Sequence, residues 1–309
     1  MDAVGYALAA AVKVRGGIVE AKSPHTFAVQ GLRGFALNGK GYACGGTDTS
    51  TAYQRVFIYD PTLNVWGEVA SMPGLRAYGV TFSIGTKGYW TGGQGNDSSL
   101  FEYDPAANTW SLKSQITTGR QNAAGFSLGD KGYVCGGNIN GPSTTNKVEM
   151  YDSTTNTWST KASMPDARVY ATGFSLSGKG YIAGGADSSL SIRNTLYEYD
   201  SATNTWATKA AMLDSKNSPA GFAIGSTGYV AGGDQINTID AYDPVTNKWS
   251  RQGYLEQRRH QSATFAIGNS AWIVGGYSQT QQVITNVNTQ FTAPYTEGLD
   301  NLIGWLAAI

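Results

Sequence analysis

Apolar and polar positions alternate along most of the chain in short runs, each bounded by Gly, Asn, Asp or Ser. Phe35-Ala-Leu37, Gly41-Tyr-Ala-Cys44 and Val56-Phe-Ile-Tyr59 are the first three runs, and a fourth begins near Trp66. Brief aromatic and β-branched runs between turn residues predict antiparallel strands and an all-β fold. We call the four strands a to d. The a–b turn, Leu37-Asn38-Gly39-Lys40, suits positive φ. In the c–d turn, Asp60-Pro61-Thr-Leu-Asn64, Asp bonds the turn backbone and Asn tolerates the left-handed region. One segment breaks the pattern. Thr296 to Ile309 places Leu299, Leu302, Ile303, Trp305, Leu306 and Ile309 at helical spacing, which predicts a short amphipathic helix.

The four-run unit repeats. Tyr-Asp, three residues, Asn, one residue, Trp occurs from Tyr59, Tyr103, Tyr151, Tyr199 and Tyr242, every 43 to 48 residues. A second motif keeps the same beat: a Phe, a tight Gly turn, an aromatic and Gly-Gly. Its six copies end at Gly45-Gly46, Gly92-Gly93, Gly136-Gly137, Gly184-Gly185, Gly232-Gly233 and Gly275-Gly276. A unit of this length cannot bury its own apolar face, so the units must pack on each other. Gly-Gly removes two side chains where neighbouring units approach closely. The Tyr and Trp fill the space between units, with about 150–250 Å² buried apiece.

Gly-Gly, then Tyr-Asp, then Trp at this period resembles the kelch motif, over about residues 31–291. The resemblance implies a β-propeller of six blades with four antiparallel strands each. The expected organisation is an N-terminal extension (1–16), a propeller (17–293) and a C-terminal amphipathic tail (294–309). The sixth repeat lacks the Tyr-Asp…Trp half, and Gly17–Pro24 resembles the strand-d run Trp158–Pro165. Residues 17–24 are therefore expected to add the outer strand of the sixth blade and close the ring, since open edges invite aggregation.

Composition narrows the function. The 309 residues carry 22 basic and 22 acidic side chains, net zero, with 41% hydrophobic residues. That is ample for a core but shows no clustered Lys and Arg, so nucleic-acid binding is not expected. No apolar run approaches the roughly 20 residues of a membrane span. The start, Met1-Asp2-Ala-Val-Gly-Tyr, lacks the positive charge of a secretory signal. A polar surface of low charge suits the exterior of a virion or a bacterial surface; a cytoplasmic setting is the alternative.

Candidate chemistry is sparse. His25 and His260 have no metal-ligand spacing, and His260 reads as a solvated loop side chain. Cys44 and Cys135 occupy equivalent strand-b positions in non-adjacent repeats, so they read as inert core thiols. The repeated Asp60, Asp104, Asp152, Asp200 and Asp243 read as turn residues, not calcium ligands. No metal or cofactor is expected.

Function on repeat scaffolds sits on variable loops. In the d–a connections, the position six before the strand-a Phe holds Arg76, Arg120, Arg168, Lys216 and Arg259, with Val29 in the first repeat. Two positions on come Tyr78, Asn122, Tyr170, Ser218 and Gln261, with Gly31 in the first. Arg beside Tyr and Asn suits carboxylates, sugars or acidic peptides, although the kelch pattern also uses this Arg structurally. The ligand-binding candidates are Arg76, Tyr78, Arg120, Asn122, Arg168, Tyr170, Lys216, Arg259 and Gln261. The apolar tail is the candidate docking segment.

The expectation is a non-catalytic binding or assembly protein, such as a phage tail or other surface protein. It would present its loops to a surface glycan or to protein subunits of a larger assembly. The enzyme alternative is a sialic-acid mutarotase-like protein, since the resemblance extends to such bacterial propellers. A copper oxidase is a poor match, because two buried Cys and two His cannot supply its ligands. A eukaryotic-style adaptor needs an oligomerisation domain, for which the chain has no room.

Overall fold

Four-stranded antiparallel sheets recur along the chain, six of them among the described residues. The computed structural model describes residues 16–48, 50–139 and 143–294. The proposed tail contacts from Leu299 to Ile309, and all but residue 16 of the N-terminal extension, lie outside them. The all-β reading holds: no described residue is helical, so no described helix is long and apolar enough to cross a membrane.

The first sheet runs Arg33–Leu37, Lys40–Cys44, Val56–Asp60 and Val65–Val69, paired in that order. Inner strands of the next four begin at Val80, Ala124, Thr172 and Ala220. The sixth sheet draws on both ends of the chain. Ala263–Ile267, Ser270–Val274 and Asn288–Thr292 are completed by Ile18–Lys22, with Ile18 opposite Thr292 and Lys22 opposite Asn288. Strand a of each sheet packs on strand a of the next, and the sixth packs on the first.

Local chemistry explains each turn. Asn38 and Gly39 both take positive φ, as two-residue hairpin turns of type I′ require. Asn64, Asn108, Asn156, Asn204 and Asn247 lie at φ of 53–55°. The turn aspartates accept the backbone N–H two residues on, as in Thr62 to Asp60 (2.9 Å); Asp60, Asp104, Asp152 and Asp200 also pair with lysine, as in Lys40 to Asp60 (2.5 Å), and Asp243 accepts from the Thr246 hydroxyl (2.7 Å). The turn reading of these carboxylates therefore accounts for their contacts.

Between sheets, aromatics do the packing. Tyr42 meets Tyr103 of the next sheet (5.6 Å between centroids) and Tyr133 meets Tyr199 (5.5 Å). Gly41 is needed because a Cβ there would lie 2.1 Å from the ring of Phe265 in the preceding sheet. The Asn and Trp of the long motif clasp one residue of that sheet. Asn156 Oδ1 accepts from the Ser114 N–H (3.0 Å), while Trp158 Nε1 donates to the Ser114 carbonyl (2.7 Å). Ser23, Ala70, Ala162 and Ala210 are clasped in the same way by the other copies. Asn156 also accepts the hydroxyl of buried Tyr151 (2.9 Å).

Asn156→Ala should cost about 3–4 kcal/mol: roughly 1 kcal/mol for each of the two lost hydrogen bonds, plus about 1–2 kcal/mol for a left-handed Ala. Asn156→Gly should recover the conformational part, about 1 kcal/mol. Urea unfolding of the two variants checks this; equal costs would mean that the backbone conformation contributes nothing.

Candidate functional site

The basic position of each d–a connection reaches into the next sheet. Arg76 pairs with Asp97 and lies over Phe101 (4.9 Å). Arg120 Nη2 pairs with buried Glu149 at 2.6 Å. Arg168 Nη2 donates to the Tyr197 hydroxyl and Thr195 Oγ1 (3.1 Å each). Lys216 pairs with Asp240 (3.2 Å), and Arg259 donates to Thr289 Oγ1 (2.6 Å) and the Val287 carbonyl (2.8 Å). Arg120, Arg168, Lys216 and Arg259 are only 1–2% exposed. Burial pushes the pKa of Arg120 and Lys216 down, against the raising pull of Glu149 and Asp240.

The partners share one register: Phe101, Glu149, Tyr197, Asp240 and Thr289 are equivalent strand-c positions. The repeated cation is thus a clasp between a connection and the next sheet. Arg120→Ala would take from buried Glu149 its closest cation and leave it the Thr117 hydroxyl and the partly exposed Lys147 (3.2 Å). The expected cost is about 3–5 kcal/mol. Chemical unfolding measures it; a cost below about 1 kcal/mol would contradict a structural clasp.

The second set of predicted residues converges. The Gly31 N–H donates to the Gln261 carbonyl (2.9 Å), Tyr78 to Gly31 (2.8 Å) and Asn122 to Tyr78 (2.9 Å). Tyr170 donates to Asn122 (3.0 Å), Ser218 to Tyr170 (2.8 Å) and Gln261 to Ser218 (3.2 Å), which closes the circle. All six are left-handed, with φ from 52° to 66°. A second circle runs beside it. The N–H of each second Gly of Gly-Gly donates to the carbonyl of the d–a basic residue, from Gly46 to Arg76 (2.8 Å) round to Gly276 to Val29 (2.7 Å). The first Gly fits because a Cβ on Gly45 would sit 2.3 Å from the Arg76 carbonyl oxygen.

Inside these circles lies an axial cavity of about 110 Å³, lined by the inner strands of all six sheets. Tyr170, Ser218 and Gln261 of the first circle reach it, with Thr81, Thr172 and Arg33. The predicted Arg76, Arg120, Arg168, Lys216 and Arg259 do not line it, nor do Tyr78 and Asn122. Among the described residues, no carboxylate, imidazole or thiol lines it. Arg33 does not recur, so the repeat pattern does not mark it. The legible signal was its departure from Val80, Ala124, Thr172, Ala220 and Ala263 at equivalent positions.

Cys44 and Cys135 are free and buried, and burial raises the Cys135 thiol to about 12 and Cys44 further. Among the described residues, no group of three or more His, Cys, Asp or Glu is arranged to hold a metal ion. His260 is not the solvated side chain expected from the loop: it is largely buried beside Asp234 (3.8 Å) and Tyr277. His25 packs edge-on against Phe57 and Trp66. Burial lowers the pKa of both imidazoles from 6.5. The unfolded chain therefore takes up protons first, and stability falls as pH drops from about 6.5 through the lowered folded values. Urea midpoints should fall over this window in the wild type and flatten in a His25→Phe, His260→Gln variant.

A family model described as the KLHDC2/KLHL20/DRC7 Kelch-repeats domain matches residues 80–276, and a Kelch motif model matches residues 35–73. A search of curated proteins returns no match. Among solved structures, that of YjhT is similar at 18% identity and a TM-score of 0.75, over 86% of this chain and 95% of that one.

Proposed function

The chain belongs to the kelch-repeat family, and from that premise we propose that it is a non-catalytic binding module. In this reading the six sheets are the blades of a six-bladed propeller, residues 17–293, that offers the d–a and b–c connections to a partner. The observation that carries it is a set of apolar side chains left in solvent on rigidly held connections. Leu75, Leu190, Ile192 and Leu213 are 61%, 65%, 40% and 49% exposed. Leu190 also sits at φ 59°, a conformation that disfavours a branched side chain. Met212 is tied to Asn194, and Lys216 to Arg193, by backbone hydrogen bonds, so Leu213 and the 190–192 turn belong to one connected region. Exposed leucines on a fixed scaffold serve recognition better than folding.

The partner is a protein subunit or a surface glycan. The low charge of the chain supports a setting on a virion or bacterial exterior. The mutarotase-like alternative needs a group that moves a proton at the sugar. Among the described residues that line the cavity, the phenol of Tyr170 is the one titratable group besides Arg33, which favours binding over turnover.

Saturation-transfer NMR with sialylated and neutral glycans, following anomer exchange in the same tube, tests the reading. Binding without faster exchange is expected, and it should be lost in a Leu190→Ser, Leu213→Ser variant whose stability changes by less than about 0.5 kcal/mol per site. Accelerated exchange that disappears in Tyr170→Phe would replace the binding module with an enzyme.

A further inference from the structure

The repeat is broken at one axial position. Two residues before the strand-a Phe, four repeats place Val80, Ala124, Thr172 and Ala220 on the cavity wall, and the sixth has Ala263. The first repeat has Arg33, the only charged group among the lining residues.

Its bonding is incomplete. Nε donates to the Gly79 carbonyl (2.8 Å) and Nη1 to the Leu32 carbonyl (3.0 Å). A guanidinium has five N–H donors, so these two bonds leave three over. Arg55, Arg76 and Arg120 each have a carboxylate; Arg33 has none among the described residues. Burial pulls its pKa down to about 10, so it stays a cation at neutral pH. The Tyr78 phenol lies close enough to feel that charge, although burial dominates its own upward shift. A structural role would be met by the small residues that the other repeats use. Arg33 is half-buried on the cavity wall, and a cation there without a carboxylate partner is open to an anionic ligand.

We propose that Arg33 makes the axial cavity a binding site for the carboxylate of a small organic acid. The guanidinium fork matches a planar carboxylate, while Thr81, Thr172, Ser218 and Gln261 offer hydroxyl and amide contacts to the rest of the molecule. One cation without a second favours a monoanion over a phosphate dianion. The site is independent of the exposed leucines, so its failure would leave the loop-binding reading untouched.

Acetate and glucuronate, titrated into the full chain and followed by ligand NMR, test it, with acetamide as the neutral match of acetate. They separate a free small acid from a sugar acid. Saturable binding of either acid is expected, with acetamide silent. Arg33→Val, which restores the residue type of the second repeat, should bind about tenfold or more weakly. Should that variant not fold, Arg33→Lys keeps the charge, loses the fork and should still weaken binding. Equal binding of acetamide and acetate, unchanged binding in Arg33→Val, or no binding of either acid would overturn the proposal.

Discussion

Two circles of backbone hydrogen bonds around the axis hold the sheets to one another, and each bond runs from one sheet to its neighbour. In the first, Gly31, Tyr78, Asn122, Tyr170, Ser218 and Gln261 each donate to the preceding member and accept from the following one. A circle of this kind has no free end, so no sheet can leave without breaking a bond on each side. The requirement also reaches far along the chain. The last sheet is complete only when Ile18–Lys22 pairs with Asn288–Thr292, which ties the two ends of the described chain together. Five non-glycine residues hold left-handed backbone to satisfy the circle, a conformation that costs roughly 1–2 kcal/mol apiece in isolation.

The side chains reinforce the same contacts at larger radius. The Asn and Trp of one turn grip the N–H and C=O of a single residue in the preceding sheet. The basic residue of each connection reaches the other way, into strand c of the next sheet. Its partner differs in chemistry but not in place: Phe101, Glu149, Tyr197, Asp240 or Thr289. An aromatic face, a carboxylate and a hydroxyl all compensate a buried cation, so the partner can vary while the clasp is kept. Buried charge pairs add little net stability but penalise wrong neighbours, which suits a scaffold of near-identical repeats.

These contacts divide the molecule into groups that are used and groups that are left over. The recurring cations and motif asparagines hold neighbouring sheets together, and the turn aspartates hold their own turns. What remains is irregular: leucines on the 190–192 and 213 segments, and an arginine where other repeats have Val, Ala or Thr. In a repeat protein, a residue that recurs serves what the repeats have in common, which is packing. A residue that departs from the pattern is free of that demand.

The sequence alone determined the strands, the turns and the repeat. Period-two runs, Asn and Gly at positive-φ turns, and the fixed spacing of Tyr-Asp, Asn and Trp are local signals. It also brought the d–a positions into register, because Val29 and Gly31 line up with Arg76 and Tyr78, and their backbones occupy equivalent places. It did not determine where the side chains point. Arg120 and Tyr170 sit in equivalent connections, yet one is buried against Glu149 and the other lines the axial cavity. That direction follows from left-handed backbone two residues after the cation, and from a strand-c partner 29 residues away in sequence. Only the closed arrangement of all six sheets places these groups around one axis, because each makes its deciding contact with a neighbouring sheet rather than with its own.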